Sequence, residues 1–305
     1  MLTVIGETLV DVVRSGTSAP RLHVGGSPMN VAVGLARLGH PVQFVGRYGR
    51  DDYGAMITHY LRRNAVLTPL SPDAKPTSVA IARLDAAGTA HYSFDVLWEL
   101  PPLDKALPRL LDGTTWLHTG SLAAMLEPGA HAVLAAVEHA HPRSLISYDP
   151  NCRPTVITDR EFARRQAERF VRLSDLVRAS EEDLRWLHPE RSAEETARAW
   201  LALGPAIVVV TRGAGGPWAV ARCGTVQLGT PDVDVVDTVG AGDSFTAALI
   251  GTLVDRGLAG SGWRDRLRDI GRAQLQEVLG YATRAAAITV SRAGADPPSR
   301  DELGS

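Results

Sequence analysis

The chain has 305 residues, 45% of them hydrophobic and 22% charged, with a formal net charge of −2. That balance is ordinary for a soluble globular protein and gives no electrostatic pull toward nucleic acid or acidic membranes. Met1 runs straight into a strand-like Leu-Thr-Val-Ile rather than a basic-then-apolar leader, and apolar runs such as Ala206–Val210 are too short to span a bilayer, so a cytoplasmic protein without nucleic-acid or membrane partners is expected.

In chain order, short β-branched runs alternate with helical patterns. Strands are predicted at Thr3–Ile5, Val42–Val45, Trp116–His118, Leu145–Tyr148, Leu176–Arg178 and Ile207–Val210. Helices are predicted at about 28–38, 52–63, 128–140, 159–172, 192–203, 241–256 and 267–290. This alternation predicts a largely parallel sheet covered by helices on both faces. Two stretches break it. Val10–Val24 and Thr77–Asp95 alternate like antiparallel strands, the second a hairpin with Ala86-Ala87-Gly88 at its tip. Such an insertion must project from the main sheet.

Several function classes are excluded by motif. All but two of the 32 basic residues are arginine, the exceptions being Lys75 and Lys105. No Gly-Lys pair exists, so a Walker-type phosphate loop is absent. The first strand ends at Gly6-Glu7-Thr8 with no G-x-G-x-x-G after it, which argues against a classical dinucleotide site. There is no H-E-x-x-H or C-x-x-C, and Cys152 and Cys223 match no metal spacing. Two cysteines fit a reducing cytosol.

The most informative segment is Val236–Leu249, V-D-T-V-G-A-G-D-S-F-T-A-A-L. Gly240 and Gly242 let the backbone turn its N–H groups toward one point, and the helix that starts there adds its positive end. That is an anion site, best suited to phosphate. Asp243 follows at once. A carboxylate beside bound phosphate repels it unless the carboxylate is there to take a proton; the other reading is a helix-capping aspartate. Upstream, Gly25-Gly26 turns into a helix with Pro28 and Asn30 in its first turn, an apolar face of Val31, Leu35 and Leu38, and a stop at Gly39.

Open α/β sheets bind ligands beyond the carboxyl ends of their strands. Glu7 and Asp11, Asp149–Arg153 and Thr211–Gly216 all follow predicted strands. The glycines of Thr211–Gly216 permit close approach to phosphates, or simply turn the chain between two strands. Ser180–Asp183 carries the letters of a helix capping box.

These motifs together resemble the ribokinase/PfkB family of carbohydrate kinases, and within it most resemble bacterial fructokinases. Val236–Leu249 matches the family's second signature and the stretch from Gly25 to Gly49 its first, with Gly6-Glu7-Thr8-Leu9-Val10-Asp11, Asp149-Pro150-Asn151-Cys152-Arg153 and Leu117–Leu122 as further likenesses. The resemblance implies a single three-layer α/β/α ribokinase-like domain over 1–305. A small antiparallel β lid, formed by about 10–24 and 77–95, would cover the sugar and carry the contact of a homodimer.

The resemblance also implies roles. Asp11, Gly25, Gly26, Asn30, Asn151 and Arg153 would bind the sugar, and Ser180, Thr211, Gly213 and Gly216 the nucleotide. Asp243 would be the general base, with the amides of Gly240, Ala241 and Gly242 as the anion hole. Mg²⁺, Arg153 and this helix terminus would neutralise the phosphates of ATP. Asp237 would help hold a monovalent cation, K⁺ in ribokinase-like enzymes, with Ala286–Asp296 as the other wall. Asp183 would stand on the magnesium side, although the family's N-x-x-E motif is altered here to Ser180 and Asp183. Arg178-Ala179-Ser180 stands where sugar-phosphate kinases tend to carry K-P-N, which favours an unphosphorylated substrate. D-fructose is the expected substrate. 2-Keto-3-deoxygluconate, ribose or a nucleoside is the alternative, as is a non-catalytic binder of the same fold.

Overall fold

The computed structural model describes residues 1–15, 19–84, 90–100, 107–257 and 262–304. The chain opens with β1 (Leu2–Ile5), β2 (Leu9–Ser15) and β3 (Arg21–Gly25), followed by α1 (Ser27–Arg37), β4 (Val42–Val45) and α2 (Asp52–Arg63). Next come β5 (Val79–Leu84), β6 (Ala90–Asp95), the short α3 (Leu107–Leu110), β7 (Trp116–Gly120), α4 (Gly129–Ala140) and β8 (Leu145–Asp149). The run continues through α5 (Arg160–Leu173), β9 (Leu176–Ser180), α6 (Glu181–Leu187), α7 (Ala193–Leu201) and β10 (Ile207–Thr211). β11 (Trp218–Ala221), β12 (Gly224–Gln227), α8 (Ala241–Asp255), α9 (Trp263–Arg268), α10 (Arg272–Val290) and α11 (Arg300–Leu303) complete it.

The main sheet has the order β12-β11-β10-β9-β8-β7-β1-β4. From β10 to β4 every pairing is parallel, while β11 and β12 add an antiparallel edge. β1, β4, β7 and β8 are buried at every residue, as strands covered on both faces must be. Alternate side chains enter different cores. Ile207 and Val209 pack with α1, α8 and α10, whereas Val208 and Val210 pack with α4, α5 and α7. The expected three layers are therefore present.

The differences are local. Two edge strands, β11 and β12, lie where no strand was expected, and the helix expected over 267–290 is two helices. Gly271, in extended conformation at φ −73° and ψ 153°, separates α9 from α10. The smaller sheet, ordered β3-β2-β5-β6, is mixed rather than purely antiparallel, because the hairpins β2–β3 and β5–β6 join through a parallel β2–β5 pairing. The hairpin tip Ala86-Ala87-Gly88 lies outside the described residues. Among the described residues no helix is long and apolar enough to cross a membrane. Because β1, β8, β9 and β10 run parallel, the loops after them open on one rim of the sheet, and α8 begins at that rim.

Candidate active site

α8 starts at Gly240, whose φ of +77° is left-handed and where a Cβ would lie 2.5 Å from that of Ala295. Only glycine fits there. Asp243, in the first turn, is 9% exposed. Both of its oxygens are held by the start of α1: Ser27 Oγ donates to Oδ1 at 2.6 Å and Asn30 Nδ2 to Oδ2 at 2.8 Å. A carboxylate only accepts, so the amide of Asn30 must face it with its nitrogen. Asn30 Oδ1 then points elsewhere, buried and without a partner among the described residues.

The amides of the turn are not equivalent. The first N–H groups of a helix lack intrahelical acceptors, but Ala241 N–H turns back to Thr238 O at 3.3 Å. Gly242 has no room for a side chain, since a Cβ there would sit 2.8 Å from Arg178 Nη2 and 2.9 Å from Nη1. A guanidinium therefore lies directly against the turn that starts α8.

On one side of Asp243 lie the residues expected for the sugar. Asp11 Oδ2 presses on Gly25, where a Cβ would come within 2.5 Å of it. Burial pushes the Asp11 carboxyl above the usual range, opposed by the charges of His23 and Arg153. Glu7 is also pushed up by burial, while its hydrogen bonds with Ser121 and Ala123 and the charge of Arg153 pull it down. Arg153 donates to the carbonyls of Asn151 and Cys152 at 3.1 and 3.0 Å and to Asn151 Oδ1 at 2.7 Å. Asn151 bends into left-handed backbone at φ 35° to make that loop. Arg153 thus sits with Glu7 and Asp11.

Behind the turn, Asp149 and Arg178 form a buried pair, Nη1 to Oδ2 at 2.8 Å. Arg178 Nη2 donates to Thr211 Oγ1 at 2.5 Å. Burial alone would pull the guanidinium down, but the facing carboxylates of Asp149, Asp183 and Asp243 hold it above its ordinary range. Asp149 is raised by burial to about 6, with Arg178 opposing the shift.

On the other side of Asp243 a cavity of about 780 Å³ opens. Ser180, Thr211, Gly213 and Gly216 line it together with Ala241, Gly242 and Arg178, and Ala286, Ala287 and Val290 of α10 give it an apolar wall. Thr211–Gly216 also joins the antiparallel pair β10 and β11, so it both turns the chain and lines the cavity. A two-sided site with a buried carboxylate between its halves is suited to moving a group from one ligand to another.

A family model, pfkB family carbohydrate kinase, matches residues 1–302. The chain belongs to the pfkB family of carbohydrate kinases. It is 33% identical over 310 residues to a fructokinase of Klebsiella pneumoniae, covering 98% of this chain and 97% of that one. A solved fructokinase of Xylella fastidiosa with bound ATP superposes with a TM-score of 0.88 at 24% identity, covering 99% and 96% of the two chains. A Vibrio cholerae fructokinase double mutant holding fructose, ADP and a potassium ion gives 0.81 at 25% identity, again over 99% and 96%.

In this pfkB-family kinase Asp183 and Asp237 both accept backbone hydrogen bonds. Asp183 accepts from Cys152 N at 2.6 Å and from Ser180 N and Oγ at 2.9 and 2.6 Å. Its Oδ2 serves the capping box of α6, the alternative its letters allowed, while its Oδ1 takes the Cys152 N–H of the loop after β8. Ser180 still lines the cavity. Asp237 accepts from Val239 N at 3.0 Å and Gly294 N at 2.9 Å, so the two segments expected to wall the cation site do meet. Arg292, on the facing segment, pairs with Glu302 and with Asp296, and among the described residues no arginine pairs with Asp237.

Sequence reasoning passed over Ser27 and the placement of Arg178. The only signal for Ser27 was a hydroxyl at the first position of a helix that follows a Gly-Gly turn. Arg178 is the middle residue of the buried strand β9, and an arginine inside such a run asks for a buried anionic partner.

Proposed function

We propose that this carbohydrate kinase transfers the γ-phosphoryl group of ATP to a hydroxyl of unphosphorylated D-fructose in the cytoplasm. The observation that carries the reading is the Asp243 carboxylate, gripped by Ser27 and Asn30 between a polar side and a nucleotide-sized cavity. The names of the fructokinase relatives support fructose. 2-Keto-3-deoxygluconate, ribose or a nucleoside would use the same arrangement.

The sugar lies against Asp11, Gly25, Gly26, Asn30, Asn151 and Arg153, with Asn30 Oδ1 accepting from a hydroxyl. ATP fills the cavity, its base along α10 and its phosphates over Thr211, Gly213, Gly216 and the start of α8. Asp243 takes the hydroxyl proton as the oxygen attacks, a role worth about 10²–10⁴-fold in rate. The amides of Gly240 and Gly242 and the positive end of α8 receive the charge on the transferred group. Ala241 serves the shape of the turn.

Among the described residues no group of three or more His, Cys, Asp or Glu side chains is placed to hold a metal ion. Mg²⁺ would come with the nucleotide and neutralise phosphate charge, with Asp183 the residue expected on that side. Asp237 and the segment around Gly294 suit a monovalent cation such as K⁺, which would stiffen the loop leading into Gly240. The small sheet closes over the sugar as a lid and supplies the contact of a homodimer.

ADP release with a panel of unphosphorylated sugars and nucleosides tests the reading. The highest kcat/KM is expected with D-fructose. Preference for another sugar would remove the substrate assignment, and no turnover with any acceptor would remove the kinase reading.

A further inference from the structure

Arg178 has more donors than partners. A guanidinium carries five N–H groups. One of them meets Asp149 and one Thr211, and Nε is buried with no partner among the described residues. The side chain is only 10% exposed, and what surface it has faces the nucleotide cavity. Its two terminal nitrogens lie against Gly242, where the positive end of α8 also points. The two unused N–H groups of those terminal nitrogens, beside a helix N-terminus, form a site for a multiply charged anion. Arg153, the cation expected for the phosphates, is folded onto its own loop beside Glu7 and Asp11.

We propose that Arg178 is a catalytic residue of the phosphoryl transfer, binding the γ-phosphate of ATP from below while Asp149 and Thr211 fix the plane of its guanidinium. This rests on the kinase reading above. In the step, the sugar oxygen bonds to the γ-phosphorus, the bond from that phosphorus to the β–γ bridging oxygen breaks, and ADP leaves. The hydroxyl proton goes to Asp243. Arg178 makes and breaks no covalent bond. Its N–H groups hydrogen-bond the non-bridging oxygens, whose charge it neutralises through the transition state. It does the work that a phosphate-loop lysine does in other nucleotide folds, from the middle of β9. The pair with Asp149 keeps the buried cation tolerable without using all of its donors.

Two readouts test this on the full-length protein. The first is affinity for a non-hydrolysable ATP analogue and for ADP, by calorimetry. Wild type should favour the analogue, and Arg178→Ala should lose that preference by about tenfold or more with ADP affinity nearly unchanged. The second is kcat, expected to fall about 10²-fold or more in Arg178→Ala and to recover in part on adding guanidinium ion. Because Arg178→Ala leaves Asp149 buried and alone, the neutral hydrogen-bonding pair Arg178→Gln with Asp149→Asn is measured beside it and should show the same losses at near wild-type thermal stability. Retention of the analogue preference, or a kcat within about threefold of wild type in either variant, would overturn the proposal. If wild type phosphorylates no sugar yet its analogue preference depends on Arg178, the role in γ-phosphate binding stands and the kinase reading falls.

Discussion

Asn30 Nδ2 donates to Asp243 Oδ2 at 2.8 Å, joining residues 213 positions apart in the chain. With Ser27 on the other oxygen, α1 sets the direction in which Asp243 meets its substrate. A hydrogen bond to a charged group contributes about 1.5–3 kcal/mol. Ser27→Ala should therefore lower kcat by about tenfold while KM for ATP stays put, and Ser27→Thr, which keeps the hydroxyl, should recover most of it. Steady-state kinetics decide this, and a KM change for ATP with kcat intact would count against the clamp.

The two sides of the site should separate in binding. Asp11→Ala is expected to raise KM for the sugar by about tenfold or more and leave KM for ATP alone, since Asp11 lies over Gly25 and away from the cavity. Gly213→Val should do the reverse, because Gly213 lines the cavity at a φ of +51°, which valine adopts poorly. Weakened ATP binding in Asp11→Ala would reverse the assignment.

Asp149 predicts the pH dependence. Burial raises its carboxyl from 3.8 to about 6, so in the folded protein it protonates as pH falls through about 6. The Arg178 pair then loses its charge partner, and kcat should rise with pH from about 5 to 7. The stability linkage has the opposite sense. A carboxyl whose folded value is raised contributes stability below about pH 4 that is lost as pH rises through about 6. The acid loss of activity due to Asp149 should thus occur without unfolding, which circular dichroism at pH 5 would show. Asp149→Asn should be flat over this range at a reduced kcat, and an unchanged acid limb in that variant would place the titration elsewhere.

Much of this was legible in the sequence because buried parallel strands are written as continuous β-branched runs, Ile207–Val210 being the clearest. The short edge strands β11 and β12 were not, since Trp-Ala-Val-Ala and Gly-Thr-Val-Gln are four-residue runs too short to establish a period. The parallel β2–β5 pairing joins residues far apart, so neither hairpin's own pattern could show it. At the site, Gly240–Asp243 announces its geometry locally, through glycines that alone fit the turn. Ser27 and Arg178 act through partners that only folding brings near, and their neighbours in sequence say nothing of Asp243 or Gly242. Ser180–Asp183 spelled a capping box, and that local hydrogen bonding forms.

Potassium should raise kcat relative to sodium or tetramethylammonium, because Asp237 bonds Gly294 N and leads into the anion turn while Arg292 pairs elsewhere. Asp237→Ala should lower kcat and abolish the difference between cations. Equal rates with all three cations in the wild type would remove the cation role.

The most direct test is ADP release coupled to D-fructose phosphorylation by wild type and Asp243→Asn, with ATP binding measured on both. The expected result is fructose-dependent turnover in the wild type, a kcat lower by about 10²-fold or more in the variant, and equal ATP affinity. Near wild-type turnover by a folded Asp243→Asn would contradict the assignment of Asp243 as the base on which the whole site is built.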